Sequence, residues 1–349
     1  MKDLIVLPNI TIKQALKKIS QSGEKCLVVV NKNNNLLGTL SDGDLRKSIL
    51  KGIGISEPIT SVYNPKPTFL VESNFKLIQA EKLFLNKKYD LIPIVNKKGI
   101  LVDILVWEKV FKTKKKKQHQ DLNVPVVIMA GGRGTRMEPF TKVLPKPLIP
   151  IHEKPVIEHI IEQFTAVGVN KFVLSINYKA RIMKAFFEEL NPDYSVDFLE
   201  EKEPLGTGGS LKFLEGKYNE SILVTNCDII IKTNYIDLFE FHQKNNYDIT
   251  LVASMKNYTI PYGTCELNGE GHLKQINEKP EFDFLVNTGL YVLNPDVLRL
   301  IPEGKMYHIT QLIDDAKKDG MEVGVYPIDD DSWIDVGQWA EYQKAVEQL

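Results

Sequence analysis

The stretch VPVVIMAGGRGTRMEPFTKVLPKP at 124–147 indicates an α/β fold for the C-terminal part of the chain. It begins with a continuous apolar run, which is typical of a strand buried in a parallel sheet. Gly131, Gly132 and Gly134 follow this run. Glycines let the backbone approach a ligand closely and point consecutive N–H groups at phosphate oxygens. The stretch therefore predicts a phosphate-binding loop at the carboxyl end of a buried strand.

Three cations accompany these glycines, namely Arg133, Arg136 and Lys146. The loop is not a Rossmann fingerprint, because a third glycine at the required offset is missing, and it is not a P-loop, because no Gly-Lys-Ser/Thr follows. A tight turn between strand and helix is the structural alternative. The three cations and the Pro-Lys-Pro that follow favour a loop that binds phosphate.

Strand and helix patterns alternate after this loop. Such alternation predicts an α/β fold with a mostly parallel sheet that is covered on both faces. Ligands in these sheets bind at the carboxyl ends of strands, and Asp228 also follows a strand pattern. The predicted segments are helix 155–168, strand 171–177, helix 179–190, strand 221–229, helix 234–245 and strand 248–255.

A lysine-rich polar run, KTKKKKQHQ at 112–120, separates two parts of opposite charge. Residues 1–121 contain 22 Lys and Arg and 11 Asp and Glu, whereas residues 122–349 contain 22 and 34. A polar run without an apolar anchor is typical of a solvated linker. The predicted parts are a domain at 1–111 with units at about 1–60 and 61–111, a linker at 112–122 and a domain at 123–349.

The two N-terminal units are an internal repeat, because each has the pattern helix, apolar strand, polar turn, strand, helix. Two such units are expected to bury their strand faces against each other. In the first unit the segments are 11–20, 26–31 and 36–49, and in the second they are 74–87, 90–96 and 99–111.

Composition excludes several classes of protein. No apolar run approaches the ~20 residues of a membrane span, and the N-terminus lacks the pattern of a signal peptide. Cys26, Cys227 and Cys265 cannot form a disulfide framework and lack the spacing of a zinc site. The lysines are not interleaved with aromatic residues, so nucleic acid is not an expected partner. We expect a cytoplasmic protein that binds neither membranes nor nucleic acid.

The stretch at 131–147, with GGxGTR followed by Pro-Lys-Pro, resembles the signature of the sugar-1-phosphate nucleotidyltransferases. Further motifs of that family follow in its order. This resemblance implies a Rossmann-like, mixed and mostly parallel sheet of the GT-A type. The matching segments are EPLGTGGSL at 203–211, NCDI at 226–229, NEKP at 277–280, VNTGLYVL at 286–293 and WIDVGQWAEY at 333–342.

The resemblance also implies roles for individual residues. Arg136 and Lys146 are implied as catalytic cations, and Asp228 and Asp335 as ligands of Mg²⁺, which prefers carboxylates and substrate phosphates. Read alone, Asp228 is equally typical of a helix cap and Asp335 of a turn. The implied nucleotide-binding residues are Ala130, Gly131, Gly132, Gly134, Thr135, Glu203, Pro204, Gly206 and Thr207. The implied sugar-phosphate-binding residues are Glu278, Lys279, Asn287 and Thr288.

The implied reaction is attack of a sugar 1-phosphate on the α-phosphorus of a nucleoside triphosphate, with release of pyrophosphate. No general base is required, because a phosphate monoester has a second pKa of ~6 and is already an anion. Cations and positioning therefore carry the catalysis.

The loop EPLGTGGSL and the N-terminal repeat are most similar to those of guanylyltransferases of bacterial surface-sugar pathways. This similarity implies GTP and glucosamine 1-phosphate, as in legionaminic acid synthesis. Mannose or heptose 1-phosphate is the next alternative, followed by cytidylyl or uridylyl transfer. A catalytically dead, nucleotide-sensing regulator is an alternative of another class.

The first repeat contains GTLSDGDLR at 38–46, which resembles the end of a CBS motif. In that family a hydroxyl and an Asp, here Ser41 and Asp44, hold the phosphate and ribose of an adenosine ligand. The second repeat, GILVDILVWEK at 99–109, lacks this pattern. Sensing of an adenine nucleotide and ligand-free assembly of a homo-oligomer both stay open for this module.

Overall fold

A computed structural model describes residues 4–72, 79–80, 83–84, 89–106, 110, 121–269 and 271–349. The chain forms two compact units. The first contains Met1–Gln118 and Met255–Leu285, and the second contains His119–Ser254 and Val286–Leu349. The predicted domain boundaries stay a prediction. Most of the helix predicted at 74–87 and of the linker predicted at 112–122 lies outside the described residues.

Helices and strands alternate along most of the described chain. The helices are α1 (Ile12–Ser22), α2 (Asp42–Leu50), α3 (Phe140–Val143), α4 (Val156–Thr165), α5 (Ala180–Leu190), α6 (Tyr235–Lys244), α7 (Ile309–Lys318) and α8 (Trp339–Gln348). The strands are β1 (Ile5–Val6), β2 (Cys26–Val30), β3 (Leu36–Ser41), β4 (Leu70–Val71), β5 (Leu91–Val95), β6 (Leu101–Val106), β7 (Val126–Met129), β8 (Pro150–Ile151), β9 (Lys154–Pro155), β10 (Lys171–Ile176), β11 (Ser195–Glu200), β12 (Ile222–Asn226), β13 (Ile229–Ile231), β14 (Ile249–Thr259), β15 (Thr264–Leu267), β16 (Leu273–Asn277), β17 (Glu281–Leu293), β18 (Val323–Ile328) and β19 (Trp333–Asp335).

The first unit contains two three-stranded sheets of the same topology, β1-β2-β3 and β4-β5-β6. In each sheet the first pair of strands is parallel and the second is antiparallel. Reciprocal main-chain bonds join them, from Leu36 N to Gly99 O and from Leu101 N to Asn34 O. The strand faces of the two repeats pack together, as the internal repeat predicts. The buried residues of this contact are Cys26, Val28, Val30, Leu91, Leu101 and Ile104.

Local signals explain the bounds of the helices, as α1 illustrates. Thr11 accepts a hydrogen bond from the N–H of Gln14, whose side chain accepts from Thr11 N, which is a capping box. Gly23 ends the helix with a φ of 69°. No helix in the described parts of the chain is both long and apolar enough to cross a membrane.

The second unit is built on a seven-stranded sheet in the order β11-β10-β7-β12-β17-β14-β18. The pairs β11–β10, β10–β7, β7–β12 and β14–β18 are parallel, and β12–β17 is antiparallel. The predicted α/β fold with a mostly parallel sheet is therefore confirmed.

Both faces of this sheet are covered, which explains the continuous apolar run of β7. Val126 and Ile128 pack in one core with α4 and α5, whereas Val127 and Met129 pack in a second core with α7. The parallel register places Asn226 beside Met129, so β7 and β12 end at the same edge. The segments that follow both strands meet at this edge, where ligands bind in such folds.

Candidate active site

The glycine loop (residues 131–134) packs closely against Thr141 and Lys146. Gly134 has a φ of 66°, which favours glycine. A Cβ at this position would lie 2.9 Å from Thr141 Cγ2 and 3.0 Å from Lys146 Cβ. The hydroxyl of Thr141 donates to Gly134 O at 3.0 Å and closes the turn. Glycine is therefore required here for both conformation and space.

Lys146 lies at the start of a 3₁₀ helix, and only 9% of its surface is exposed. Its ammonium forms an ion pair with the carboxylate of Asp228. Arg136 lies in a second 3₁₀ helix, Thr135–Met137, and is exposed. The loop thus presents one buried and one accessible cation at the edge of the sheet.

Strand pairing brings the two predicted metal ligands together. Ile229, in β13, pairs with Asp335, in β19, and Val336 N donates to Asp228 O at 2.8 Å. A Cβ built on Gly337 would lie 2.7 Å from Asp228 Oδ2, 2.9 Å from Asp335 Oδ1 and 3.2 Å from Lys146 Nζ. Two carboxylates and one ammonium therefore surround a single point.

The charges at this point are not fully compensated. Burial raises the pKa of the Asp335 carboxyl above its usual value, and the neighbouring Asp228 raises it further. The N–H of Gly337 and the cations of Lys146 and Arg136 oppose this shift. Two neighbouring carboxylates suit a divalent cation that takes its other ligands from substrate phosphates and water. No cluster of three or more His, Cys, Asp or Glu side chains is placed to hold a metal among the described residues.

Two cavities open at this edge and share part of their walls. The first, of about 380 Å³, lies over the glycine loop. The second, of about 260 Å³, lies over β13 and the carboxyl half of β17. Arg136, Asn226 and Asp228 line both cavities. Two ligands bound in the two cavities would therefore meet at these three side chains.

The loop at 204–209 forms one wall of the first cavity. Contacts with Tyr307 and the start of α7 fix the position of this loop. Gly206 has a φ of 80°, and a Cβ there would lie 2.7 Å from Tyr307 O. Gly208 N donates to the same carbonyl, and Ile309 N donates to the hydroxyl of Thr207 at 3.2 Å. The loop's shape is thus fixed by main-chain contacts.

The carboxyl half of β17 lines the second cavity with Asn287, Thr288, Gly289 and Tyr291. Asn287 donates from Nδ2 to the hydroxyl of Tyr291 at 2.8 Å and accepts from Gly289 N. The hydroxyl of Thr288 donates to Val252 O within the sheet. Asn287 is therefore oriented at the cavity wall, whereas the side chain of Thr288 holds the sheet.

A family model for nucleotidyl transferases matches residues 125–349, which include the glycine loop, both carboxylates and both cavities. The chain belongs to the nucleotidyl transferase family. Members of this family generally use a divalent metal, which agrees with the paired carboxylates. A CBS domain model matches residues 1–51, so an N-terminal CBS domain is also present.

Named relatives match the same part of this nucleotidyl transferase. The mannose-1-phosphate guanyltransferase of Yarrowia lipolytica is 38% identical over 184 residues, which cover 50% of each chain. That of Pichia angusta is 35% identical over 226 residues, which cover 61% of this chain and 60% of the relative. The chain thus spans between half and three fifths of the length of these relatives.

One solved structure shares the fold over the transferase part. It is HddC from Yersinia pseudotuberculosis complexed with GMP-PN, which is 27% identical with a TM-score of 0.52. The match covers 64% of this chain and 99% of HddC. The fold class predicted from the sequence is therefore also found in this comparison.

Most of the residues predicted for the nucleotide line the first cavity of this nucleotidyl transferase. Ala130 is buried in the core and Glu203 is exposed, and neither is among the described residues of the cavity wall. The predicted residues that line it are Gly131, Gly132, Gly134, Thr135, Arg136, Lys146, Pro204, Gly206, Thr207 and Asp228.

Four predicted residues lie in the first compact unit. Glu278 and Lys279 follow β16, and Lys279 has a positive φ of 46°. Ser41 and Asp44 form the capping box of α2, in which Ser41 Oγ accepts from Asp44 N and Asp44 Oδ2 accepts from Ser41 N. Roles in sugar-phosphate and adenosine binding stay predictions for these residues.

Glu201, Asn226 and Gly337 are among the residues of the site that were not predicted from the sequence. Glu201 lines the first cavity, is 5% exposed and accepts from Ser175 Oγ and Leu205 N. Asn226 lines both cavities, and Gly337 leaves room for the two carboxylates. In EEKE at 200–203, nothing in the sequence distinguishes the buried Glu201 from the exposed Glu203.

Proposed function

We propose that this chain is a sugar-1-phosphate guanylyltransferase, which joins GTP and a sugar 1-phosphate into a nucleotide sugar and pyrophosphate. The observation that carries this proposal is the pair of cavities that meet at Arg136 and Asp228. In-line transfer needs two anionic substrates held end to end, with cations where they meet.

The chain's own residues would bind and neutralise the substrates. Arg136, Lys146 and the glycine loop line the cavity in which the triphosphate would lie, where the loop's N–H groups would donate to phosphate oxygens. Asp228 and Asp335 would hold Mg²⁺, which would stabilise the charge that develops on the transferring phosphoryl group. No residue is needed as a general base, since a sugar 1-phosphate is already an anion near neutral pH.

A buried carboxylate supports guanine as the base. Guanine offers two neighbouring donors, N1–H and the 2-amino group, and a carboxylate accepts two such bonds. Glu201 lies in the wall of the first cavity beside Gly131, where a Cβ would lie 2.9 Å from its Oε1. Its two oxygens have lone pairs left after the bonds to Ser175 and Leu205. The names of the relatives, which are guanyltransferases, also support GTP.

For the sugar we propose glucosamine 1-phosphate, used for legionaminic acid and bacterial surface glycans. Support comes from the loop EPLGTGGSL and its combination with an N-terminal CBS domain. Mannose 1-phosphate is the first alternative, and it is favoured by the names of the relatives, which are mannose-1-phosphate guanyltransferases. Heptose 1-phosphate follows, and cytidylyl or uridylyl transfer comes last.

A pyrophosphate-release screen tests the proposal. Four nucleoside triphosphates are combined with glucosamine, mannose, glucose and heptose 1-phosphates in the presence of Mg²⁺, with Asp228→Asn as the control. Turnover only with GTP would support the base, and the best sugar would settle the substrate. Absence of turnover in every combination would refute the proposal and favour a catalytically dead regulator.

We propose a cytoplasmic homo-oligomer in which the N-terminal module either binds an adenine nucleotide or serves only assembly. Calorimetric titration of the full chain with AMP, ADP and ATP distinguishes the two roles. Heat that disappears in Asp44→Ala would support a ligand site at Ser41 and Asp44. Absence of heat with all three nucleotides would support assembly alone.

A further inference from the structure

Two aromatic side chains of α8 hold the segment that carries Lys146. Trp339 donates from Nε1 to Glu138 O at 2.9 Å, and Tyr342 donates from its hydroxyl to Pro150 O at 2.5 Å. Glu138 and Pro150 lie at the two ends of this segment, which we call the lysine segment (residues 138–150). One helix therefore holds both of its ends.

The middle of the lysine segment is held from another element. The hydroxyl of Tyr178 donates to Thr141 O at 3.2 Å, and the ammonium of Lys179 donates to Lys142 O at 2.6 Å. Phe140 packs against α8, with ring centroids 5.1 Å from Trp339 and 6.4 Å from Tyr342. Both residues that precede α5 thus add to the support given by α8.

The lysine segment has little regular structure to fix its own shape. It contains the four-residue α3 and a three-residue 3₁₀ helix that begins at Lys146. Side chains from outside satisfy four of its main-chain carbonyls. Because short helices are marginal alone, these donors fix the position of the segment.

The same helix is joined directly to the second carboxylate. Asp335 ends β19, and three residues separate it from Trp339. Gly337, which lies between them, approaches Asp228, Asp335 and Lys146. The C-terminal part of the chain thus fixes the position of Asp335 and, through α8, the position of Lys146.

We propose that Trp339 and Tyr342 are positioning residues for nucleotidyl transfer, which fix Lys146 relative to Asp228 through the two ends of the lysine segment. The inference rests on the proposed function for its kinetic consequence. Neither residue lines the described walls of the two cavities, so neither is placed to contact a ligand bound there. Displacement of a catalytic group by ~1 Å can reduce rates by ~10²-fold, so loss of both donors should reduce kcat more than substrate binding.

The test is the double variant Trp339→Phe/Tyr342→Phe in the full chain. At position 342 phenylalanine removes only the hydroxyl, whereas at position 339 it keeps a ring beside Phe140 and removes the indole N–H together with one ring. The matched control is Tyr235→Phe, which removes a hydroxyl that donates to Ile231 O at 2.7 Å elsewhere in the same unit. We expect kcat of the double variant to fall by about tenfold or more with KM for the triphosphate within about threefold, and kcat of the control to be unchanged.

Hydrogen exchange of residues 134–150 is measured on the same proteins and does not depend on activity. Faster exchange in the double variant, but not in the control, would support the inference even if the screen finds no substrate. A double variant with the kcat of the control would overturn the inference. If no turnover exists to compare, unchanged exchange in the lysine segment would overturn it instead.

Discussion

Gly337→Ala adds one methyl group at the point where the two carboxylates and the lysine meet. The backbone tolerates the change, since Gly337 has no positive φ. The new Cβ would lie 2.7 Å from Asp228 Oδ2, whereas ordinary contact begins at 3.4 Å, so the carboxylate must retreat by about 0.7 Å. Asp335 Oδ1, at 2.9 Å, and Lys146 Nζ, at 3.2 Å, must move as well.

A displacement of about 0.7 Å should reduce kcat strongly but change the free energy of unfolding little. Misplacement of a reacting group by ~1 Å can cost ~10²-fold in rate, so we expect kcat to fall by about 10- to 100-fold, equivalent to about 1.4–2.8 kcal/mol of barrier. The free energy of unfolding should change little. Replacement of glycine by alanine at a compatible conformation stabilises by about 0.4–1 kcal/mol through the unfolded chain, which offsets the strained contacts.

Pyrophosphate release with saturating substrates measures kcat, and urea unfolding measures stability. Gly269→Ala is the control, because its Cβ would have nothing within 4 Å and its φ is not positive. The control should keep its kcat within about twofold of the original chain. A Gly337→Ala variant with kcat within about threefold of the original would refute the claim that this point must stay free of side-chain atoms.

Three other predictions follow from single side chains. Asp228→Asn should leave the fold intact and remove nearly all metal-dependent turnover; retention within about tenfold, or about 1.4 kcal/mol, would contradict the metal assignment. Glu201→Gln should reduce kcat/KM for GTP by about tenfold or more relative to ATP, because an amide offers an acceptor and a donor where guanine needs two acceptors; an unchanged ratio would exclude Glu201 from base recognition. Burial lowers the pKa of His242 despite its bond to Asn294. The free energy of unfolding should therefore decline as pH falls below about 6.5, where the unfolded chain takes up the proton first, and urea titrations should show a smaller decline in His242→Gln.

The pattern of apolar residues was sufficient to predict α4, α5 and α6 of the second unit, but it did not predict α3 or α8. The helix predicted at 179–190 is observed at Ala180–Leu190, and that predicted at 234–245 is observed at Tyr235–Lys244. Each buries one face against the sheet, and that burial produces the 3.6-residue spacing on which the prediction depends. Local periodicity therefore contains enough information for these elements.

Non-local pairing was not predictable in the same way. β17 lies antiparallel to β12 and between β12 and β14, although nothing in its own residues specifies that neighbour. Pairing of this kind depends on contacts between distant residues, which spacing within a segment does not encode.

The residues of the site also form two groups, one encoded by a local sequence pattern and one that depends on contacts between distant residues. The glycine loop, Arg136 and Lys146 form a local pattern and were predicted from one stretch of sequence. The convergence of Asp228 with Asp335 depends on the pairing of β13 with β19, and only the resemblance to a family implied it. Glu201 was missed because its burial, and not its residue type, distinguishes it from its exposed neighbour Glu203.

The C-terminal part of the chain is acidic, yet its proposed substrates are polyanions. The charge that a substrate meets is that of the residues in the cavity walls. Of the described residues that line the two cavities, Glu201, Asp228 and Asp335 are acidic, and Arg136 and Lys146 are basic. When all five are ionised, the walls carry one net negative charge and would repel a triphosphate. A divalent cation held by Asp228 and Asp335 would reverse that sign. A divalent cation bound there would let the walls attract a triphosphate, which agrees with the general use of a divalent metal in this family.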